Sequence, residues 1–239
     1  MRILITNDDG IMAPVLPIFA KWATKLGEVT VVAPKVEQSG KSHAIDFTRL
    51  IEIKPYDLCE GVEAYSMDST PADCVRYAVL GMHRQFDLVL SGINRGFNLG
   101  KDIPYSGTAG AIFEAGRIGI PGIALSTEPT GFDEAVERLD ELLEFFKKYE
   151  LLKECSLYNV NIPKGHKEIK VTRQGGIYFT DDFVRRDGDM FEQIGAMLKT
   201  DSADFTLDTD AVRHGYVSIM PMTIEKTELS AFERINKKL

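Results

Sequence analysis

Two carboxylates, Asp8 and Asp9, stand side by side one residue after the short apolar run RILIT of residues 2–6. Adjacent anions at a strand end repel one another unless something cationic lies between or beside them. A hard divalent cation is the common solution, and oxygen ligands suit Mg²⁺, Mn²⁺ or Ca²⁺. The side-chain oxygens of Ser39 and Asn94 could complete such a site. The competing reading has Asp8 capping the next helix and Asp9 solvated; position alone leaves both open. A second candidate is residues 91–108, SGINRGFNLGKDIPYSGT, read as a long loop with Gly92, Gly96, Gly100 and Gly107. Structureless loops longer than about 12 residues in compact domains are often functional. This one ends in Ser106-Gly107-Thr108, ahead of a small-residue helix that continues to Arg117. Free N–H groups at a helix start favour anions, commonly phosphate. An ordinary helix cap fits the same pattern. It is not a P-loop, and no GxGxxG follows the first apolar run.

These residues need elements to hold them. The first 160 or so residues alternate strand and helix patterns: apolar runs at 2–6, 28–33, 86–90, 122–125 and 157–162, with helical spacing at 13–26, 71–80, 108–117 and 132–149. Thr70 followed by Pro71 reads as a helix start. Near-continuous apolar strands between helices predict a parallel sheet covered on both faces. The predicted fold is therefore α/β: a doubly wound, mostly parallel, Rossmann-like sheet with β-rich insertions and a C-terminal extension. Residues 44–53 alternate like a hairpin arm. After Lys164, strand patterns at 169–174, 177–179 and 216–220 dominate, with acidic turns between them, and 227–239 reads as a final helix. No sharp linker is present, so the chain reads as one domain, 1–239, with a core to about residue 163 and a β-rich region after it.

In open α/β sheets, ligands sit beyond the carboxyl ends of the strands. That rule gathers Asn7, Asp8, Asp9 and Gly10 after the first strand. Ser39 and Gly40 follow the second, Ser91 to Asn94 the third, and Ser126 and Thr127 the fourth. Composition narrows the partners. The chain has 239 residues, 44% hydrophobic and 27% charged, so it can bury a core. A net charge of -8, from 36 acidic against 28 basic side chains, argues against binding a nucleic-acid polymer. No apolar run has the length of a membrane span, and the N-terminus lacks a signal-peptide pattern. Three cysteines at no metal-ligand spacing, Cys59, Cys74 and Cys155, fit free thiols in a reducing cytoplasm.

The ordered set of motifs resembles the SurE family, stationary-phase survival proteins that act as metal-dependent nucleotidases and acid phosphatases. The matching segments are Ile5-Thr6-Asn7-Asp8-Asp9-Gly10, Gln38-Ser39-Gly40, Ser69-Thr70-Pro71-Ala72-Asp73-Cys74-Val75, residues 91–100 (SGINRGFNLG) and Tyr105-Ser106-Gly107-Thr108. Later ones are Asn159-Val160-Asn161-Ile162-Pro163, Thr209-Asp210-Ala211-Val212 and Gly215-Tyr216-Val217-Ser218. Ser69 and Ala72 depart from the common pattern at positions without a chemical role. The resemblance implies one divalent cation per subunit, Mg²⁺ or Mn²⁺, on Asp8, Asp9, Ser39 and Asn94. It implies a phosphate pocket lined by Asn98, Ser106, Gly107 and Thr108. It also implies hydrolysis of nucleoside 5′- and 3′-monophosphates, and of short polyphosphate, by a water that the cation activates, with Asp8 and Asp9 catalytic. A homodimer or tetramer built by exchange of C-terminal elements is implied as well. A covalent aspartyl-phosphate route lacks its DxD spacing, since Gly10 occupies the second position.

Other polar residues read as structural. His43 is expected at the surface or in a hydrogen bond. His83, His166 and His214 have no paired spacing for zinc. Ser42 and Ser91 lack a nucleophile-elbow context. Lys41 and Arg95 serve equally as substrate attractors or solvated cations, and Tyr105 and Phe97 as base-stacking groups or loop anchors. Asp68 and Asp73 read as helix caps, and Asp181-Asp182 as a turn. Two other function classes fit the same sheet edge: a nucleotide-sensing module without chemistry, and a structural oligomer.

Overall fold

Residues 1–165 and 167–239 are described by the computed structural model; His166, one of the unpaired histidines, lies outside them. The five apolar runs all form strands: β1 (Arg2–Thr6), β2 (Glu28–Pro34), β5 (Leu88–Arg95), β6 (Gly122–Thr127) and β7 (Leu157–Ile162). Short β3 (Ile53–Pro55) and β4 (Glu63–Met67) precede β5. Past residue 163 come β8 (Ile169–Val171), β9 (Phe179–Arg185), β10 (Phe191–Met197) and β11 (Val217–Met222). Nine strands form one sheet in the order β3-β4-β2-β1-β5-β6-β7-β11-β8. Pairings from β4 through β7 are parallel; β3 runs against β4, and β11 against β7. The doubly wound α/β reading therefore holds.

Alternation within β1 explains its unbroken apolar run. Ile3 and Ile5 pack on one face with Phe19 of α1 (Val15–Ala23). Leu4 packs on the other with Cys74 of α2 (Pro71–Arg76) and Ala111 of α3 (Gly107–Arg117). Small residues let α3 lie close: a methyl group on Gly116 would come within 2.6 Å of Leu157. Thr70 caps α2, its hydroxyl accepting from the Asp73 N–H. The helical pattern of 132–149 divides into α4 (Phe132–Glu137) and α5 (Leu139–Lys148). Arg138 stands between them, its buried guanidinium donating to Glu141 and to the Lys167 carbonyl.

Several expectations need correction. Residues 44–52 form no strand. Asp46 folds this stretch locally, accepting from the Thr48 N–H and pairing with Arg49. Residues 91–108 are not one long loop: β5 continues through Arg95 beside β6, and a 3₁₀ turn occupies Gly100–Tyr105. Asp181 and Asp182 lie inside β9, not in a turn; the turn is at 186–190. Asp73 and Asp68 do not cap α2. Asp73 accepts from the Ser69 hydroxyl and the Asp46 N–H, while Asp68 pairs with Arg49.

The two-stranded β9–β10 ribbon stands apart from the main sheet. Its register puts Phe179, Met197, Phe183 and Phe191 on one face, each substantially exposed. After α6 (Leu151–Glu154) and α7 (Asp208–Arg213), the chain ends in α8 (Leu229–Asn236), which has no buried residue and exposes Leu229, Phe232 and Ile235. Among the described residues no helix is long and apolar enough to cross a membrane. All three cysteines are free.

Candidate active site at the sheet switch point

Strand order reverses between β1 and β5: the chain winds outward from β1 through β2 and β4, then returns to β5 on its other side. At such a switch point neighbouring loops diverge and leave a crevice at the carboxyl ends. Asp8 and Asp9 follow β1 there, and Asn94 is the penultimate residue of β5. The Asn7 side chain accepts from the Gly10 N–H and donates to the Gly10 carbonyl, closing the 7–10 turn. Gly10 has φ +95°, and its α-carbon packs against backbone of residues 34–37, where a methyl group would be strained.

Asp8 is 4% exposed and sits at the start of α3. Its oxygens accept from the Thr108 hydroxyl at 2.7 Å and the Thr108 N–H at 3.2 Å. A Cβ on Gly107 would lie 3.0 Å from the Asp8 Cβ, so glycine lets the helix start approach the carboxylate. Burial pushes the Asp8 carboxyl up to about 6; the Thr108 hydroxyl opposes this and the Asp9 charge adds to it. Asp9 accepts from the Arg95 N–H at 3.0 Å. Burial raises its pKa too, with the Arg95 backbone and charge opposing and the Glu37 charge adding. Neither carboxylate forms a salt bridge with a described Lys, Arg or His. The amide nitrogen of Asn94 donates to the Gly96 carbonyl at 2.7 Å, and its carbonyl oxygen has no donor among the described residues.

Asp8, Gly107 and Thr108 are thus in direct contact, and Asp9 touches the residue after Asn94. Ser39 is on the same edge, since the neighbouring Gln38 N–H donates to the Asp8 carbonyl. Its own hydroxyl is exposed and donates to Glu37 instead. Asn98 lies further along, over β6 and β7. Its amide nitrogen donates to Ser126 at 2.8 Å, its N–H to Asn161, and its carbonyl accepts from Asn159 and Asn161. Ser106 caps α3, accepting from the Ala109 N–H.

The donor set suits a hard cation. Two adjacent carboxylates, one buried without a positive partner, are joined by a free amide oxygen. Among the described residues no three His, Cys, Asp or Glu side chains converge. His43 is in a hydrogen bond, as expected, 2.9 Å from Glu114 of α3. Arg76 and Arg117 pair with the same buried carboxylate. Burial raises the Glu114 pKa, but His43 and the two arginines outweigh it and hold the group at about 2. Phe97 packs on Leu99, Tyr178 and Val212 as a loop anchor, while Tyr105 is exposed. A cavity of about 580 Å³, walled by Met1, Leu88, Ile123 and Phe146, opens at the opposite ends of the strands, away from Asp8.

A family model described as survival protein SurE matches residues 3–181. The chain belongs to the SurE family. It is 35% identical to the 5′-nucleotidase SurE of Thermosipho melanesiensis, covering 100% of this chain and 97% of that one. Identity to the 5′-nucleotidase SurE of Alkaliphilus metalliredigens is 36%, with 98% and 97% covered. The crystal structure of the SurE protein from Aquifex aeolicus superposes with a TM-score of 0.80 at 32% identity, over 99% of each chain.

The sequence places Ser126 at the sheet edge and Asn159 and Asn161 in a matching segment, but it does not show that they hold Asn98. Their signal was two asparagines, two residues apart, on one face of a wholly buried strand. Unpaired polar groups are costly there, so a partner is required. Asp208, fully buried, was missed as well: burial raises its pKa against N–H donors from Gly100, Gly175 and Thr209.

Proposed function

We propose that this protein hydrolyses nucleoside 5′-monophosphates in a reaction that depends on a divalent cation held by Asp8, Asp9, Asn94 and Ser39. The enzyme class follows from the family: the chain is a hydrolase of phosphoric monoesters. Nucleoside 3′-monophosphates and short polyphosphate are the further substrates of this proposal. The observation that carries the cation assignment is the buried Asp8 carboxylate, next to Asp9 and without a cationic partner, at the strand-order switch point. Mg²⁺ or Mn²⁺ bound there would supply Lewis-acid charge and lower the pKa of a water.

The chain's own residues have separable roles in this reading. Thr108 holds both oxygens of Asp8, which orients the attacking water and accepts its proton. Asp9 is mainly a ligand, fixed by the Arg95 N–H. Asn98, Ser106 and Gly107 receive the phosphoryl oxygens, Thr108 joining them only by releasing a bond to Asp8, and the start of α3 favours their charge. Ser39 must turn from Glu37 to join the ligands.

The protein is also proposed to work in the cytoplasm as a homodimer or tetramer. The uncovered apolar faces of the β9–β10 ribbon and α8 support self-association, because a lone two-stranded ribbon is marginal in water. The activity test is phosphate release from a nucleoside monophosphate and a chromogenic phosphate ester, with and without Mg²⁺ or Mn²⁺. Cation-dependent release, lost in Asp8→Asn and Asp9→Asn, is the expected result. No release with any ester, from protein that still binds the cation, would overturn the reading in favour of a nucleotide-binding role.

A further inference from the structure

We propose that Asp208 and Asp102 are positioning residues for phosphate binding, a reciprocal pair of carboxylates that locks the segment carrying Asn98 and Ser106 onto the C-terminal region. The inference rests on the assignment of Asn98 and Ser106–Thr108 to phosphate. Asp208, at the start of α7, reaches into the site segment: its Oδ2 accepts the Gly100 N–H at 2.8 Å. Its Oδ1 accepts from Gly175 and Thr209, both at 2.7 Å. Asp102 reaches the other way, its Oδ2 accepting the N–H groups of Tyr178 and Phe179, both at 3.1 Å.

The contacts between these carboxylates tighten the same seam. The Lys101 N–H donates to the Gly176 carbonyl at 3.0 Å, and Gln174 donates to the Gly100 carbonyl at 2.8 Å. Gly100 has φ +53°, and a Cβ there would lie 1.9 Å from the Gly176 oxygen, so the two backbones are in closest approach. Leu99, Tyr178 and Val212 close the seam with a small apolar cluster. Asn98 and Ser106 bracket the 3₁₀ turn that this seam immobilises. Asp8 and Asp9 lie in the turn after β1, and Asn94 lies on β5; none of the three bonds to this seam. Thr108, which holds Asp8, belongs to α3 and not to the seam, so loosening the seam moves Asn98 and Ser106 first and reaches Asp8, Asp9 and Asn94 least.

The two carboxylates also differ in a way that fixes the test. Asp102 uses one oxygen for both amides, so asparagine can replace it. Asp208 uses both oxygens, and asparagine supplies only one. The full chain is assayed with Mg²⁺ for KM, for the Mg²⁺ concentration giving half-maximal rate, and for binding of inorganic phosphate by titration calorimetry. Asp208→Asn and Asp102→Ala are expected to raise KM and weaken phosphate binding about tenfold, with Mg²⁺ activation within about twofold of the parent. Asp102→Asn is expected to recover most of that affinity. Unchanged phosphate binding in Asp208→Asn and Asp102→Ala would overturn the proposal. So would a parallel loss of phosphate binding, Mg²⁺ activation and thermal stability, the mark of general unfolding. If Asp208→Asn does not fold, the two Asp102 variants decide by the same criteria. Asn98→Ala serves as the separate control: normal phosphate binding in that variant removes the phosphate assignment itself, whatever the Asp208 result.

Discussion

Asp8 is held under two opposing demands. Its charge is buried beside Asp9 with only Thr108 as a donor, yet a cation site needs that charge. Neutralising it should therefore help the metal-free protein and harm the enzyme. Asp8→Asn is expected to raise the melting temperature of EDTA-treated protein, to abolish the further rise caused by Mg²⁺, and to cut phosphate release at least about 100-fold. Thermal scans with and without Mg²⁺, beside a phosphate assay, read all three; a parent-like rate would take Asp8 out of the site. Asn161→Ala removes a donor and an acceptor from the Asn98 backbone and should raise KM severalfold with little change in Mg²⁺ activation, measured by steady-state kinetics. Legibility at this scale followed the chemistry of the partners. Adjacent aspartates at a strand end are costly wherever they occur, so Asp8 and Asp9 could be read directly. Asp208 binds backbone amides, which every residue possesses, and nothing in the sequence marks which ones it will meet.

Helix α3 joins the site to the rest of the fold. Its first turn contacts Asp8, and its third holds Glu114 with His43, Arg76 and Arg117. Because the folded pKa of Glu114 lies below its ordinary 4.5, the stabilisation is complete above that pH and lost as pH falls toward about 2. Glu114→Gln should cost about 2 kcal/mol at pH 7, allowing for the exposure of its three partners. The gap to the parent should close on acidification, as followed by denaturant melts at several pH values; a pH-independent gap would refute the charge account. The same helix carries Gly110, where an added Cβ would lie 2.2 Å from the Ser42 carbonyl. Gly110→Ala should push the 39–46 segment away and lower stability by about 1–3 kcal/mol, visible in the same melts. Central strands were readable from their apolar runs because both faces are buried. The ribbon strands were not, because β9 mixes two aspartates with exposed phenylalanines, a pattern with no intramolecular core to explain it.

The molecule as a whole leaves its apolar surface unevenly distributed. The main sheet is covered, whereas one ribbon face, α8 and the stretch carrying Phe47 and Leu50 are bare. Phe183→Lys with Phe191→Lys is expected to shift the protein from an oligomer to a smaller species in light scattering after size exclusion. A parent that is monomeric throughout would remove the proposed assembly. The division at about residue 163 describes where strand patterns change, but β11 and β8 return to extend the main sheet past β7. That return was hidden in sequence because β11 runs antiparallel, unlike the βαβ rhythm before it.

The sheet's outermost strands have a different consequence. β3 and β8 have only three residues each, and β3 ends in Pro55, which has no N–H to offer a neighbour. Long exposed edges are templates for fibril growth, and short ones carrying proline blunt it. The nine-stranded sheet therefore offers almost no backbone on which a second sheet could nucleate. Aggregation on heating or storage should begin instead where large apolar side chains are exposed: the ribbon face, α8 and the stretch carrying Phe47 and Leu50.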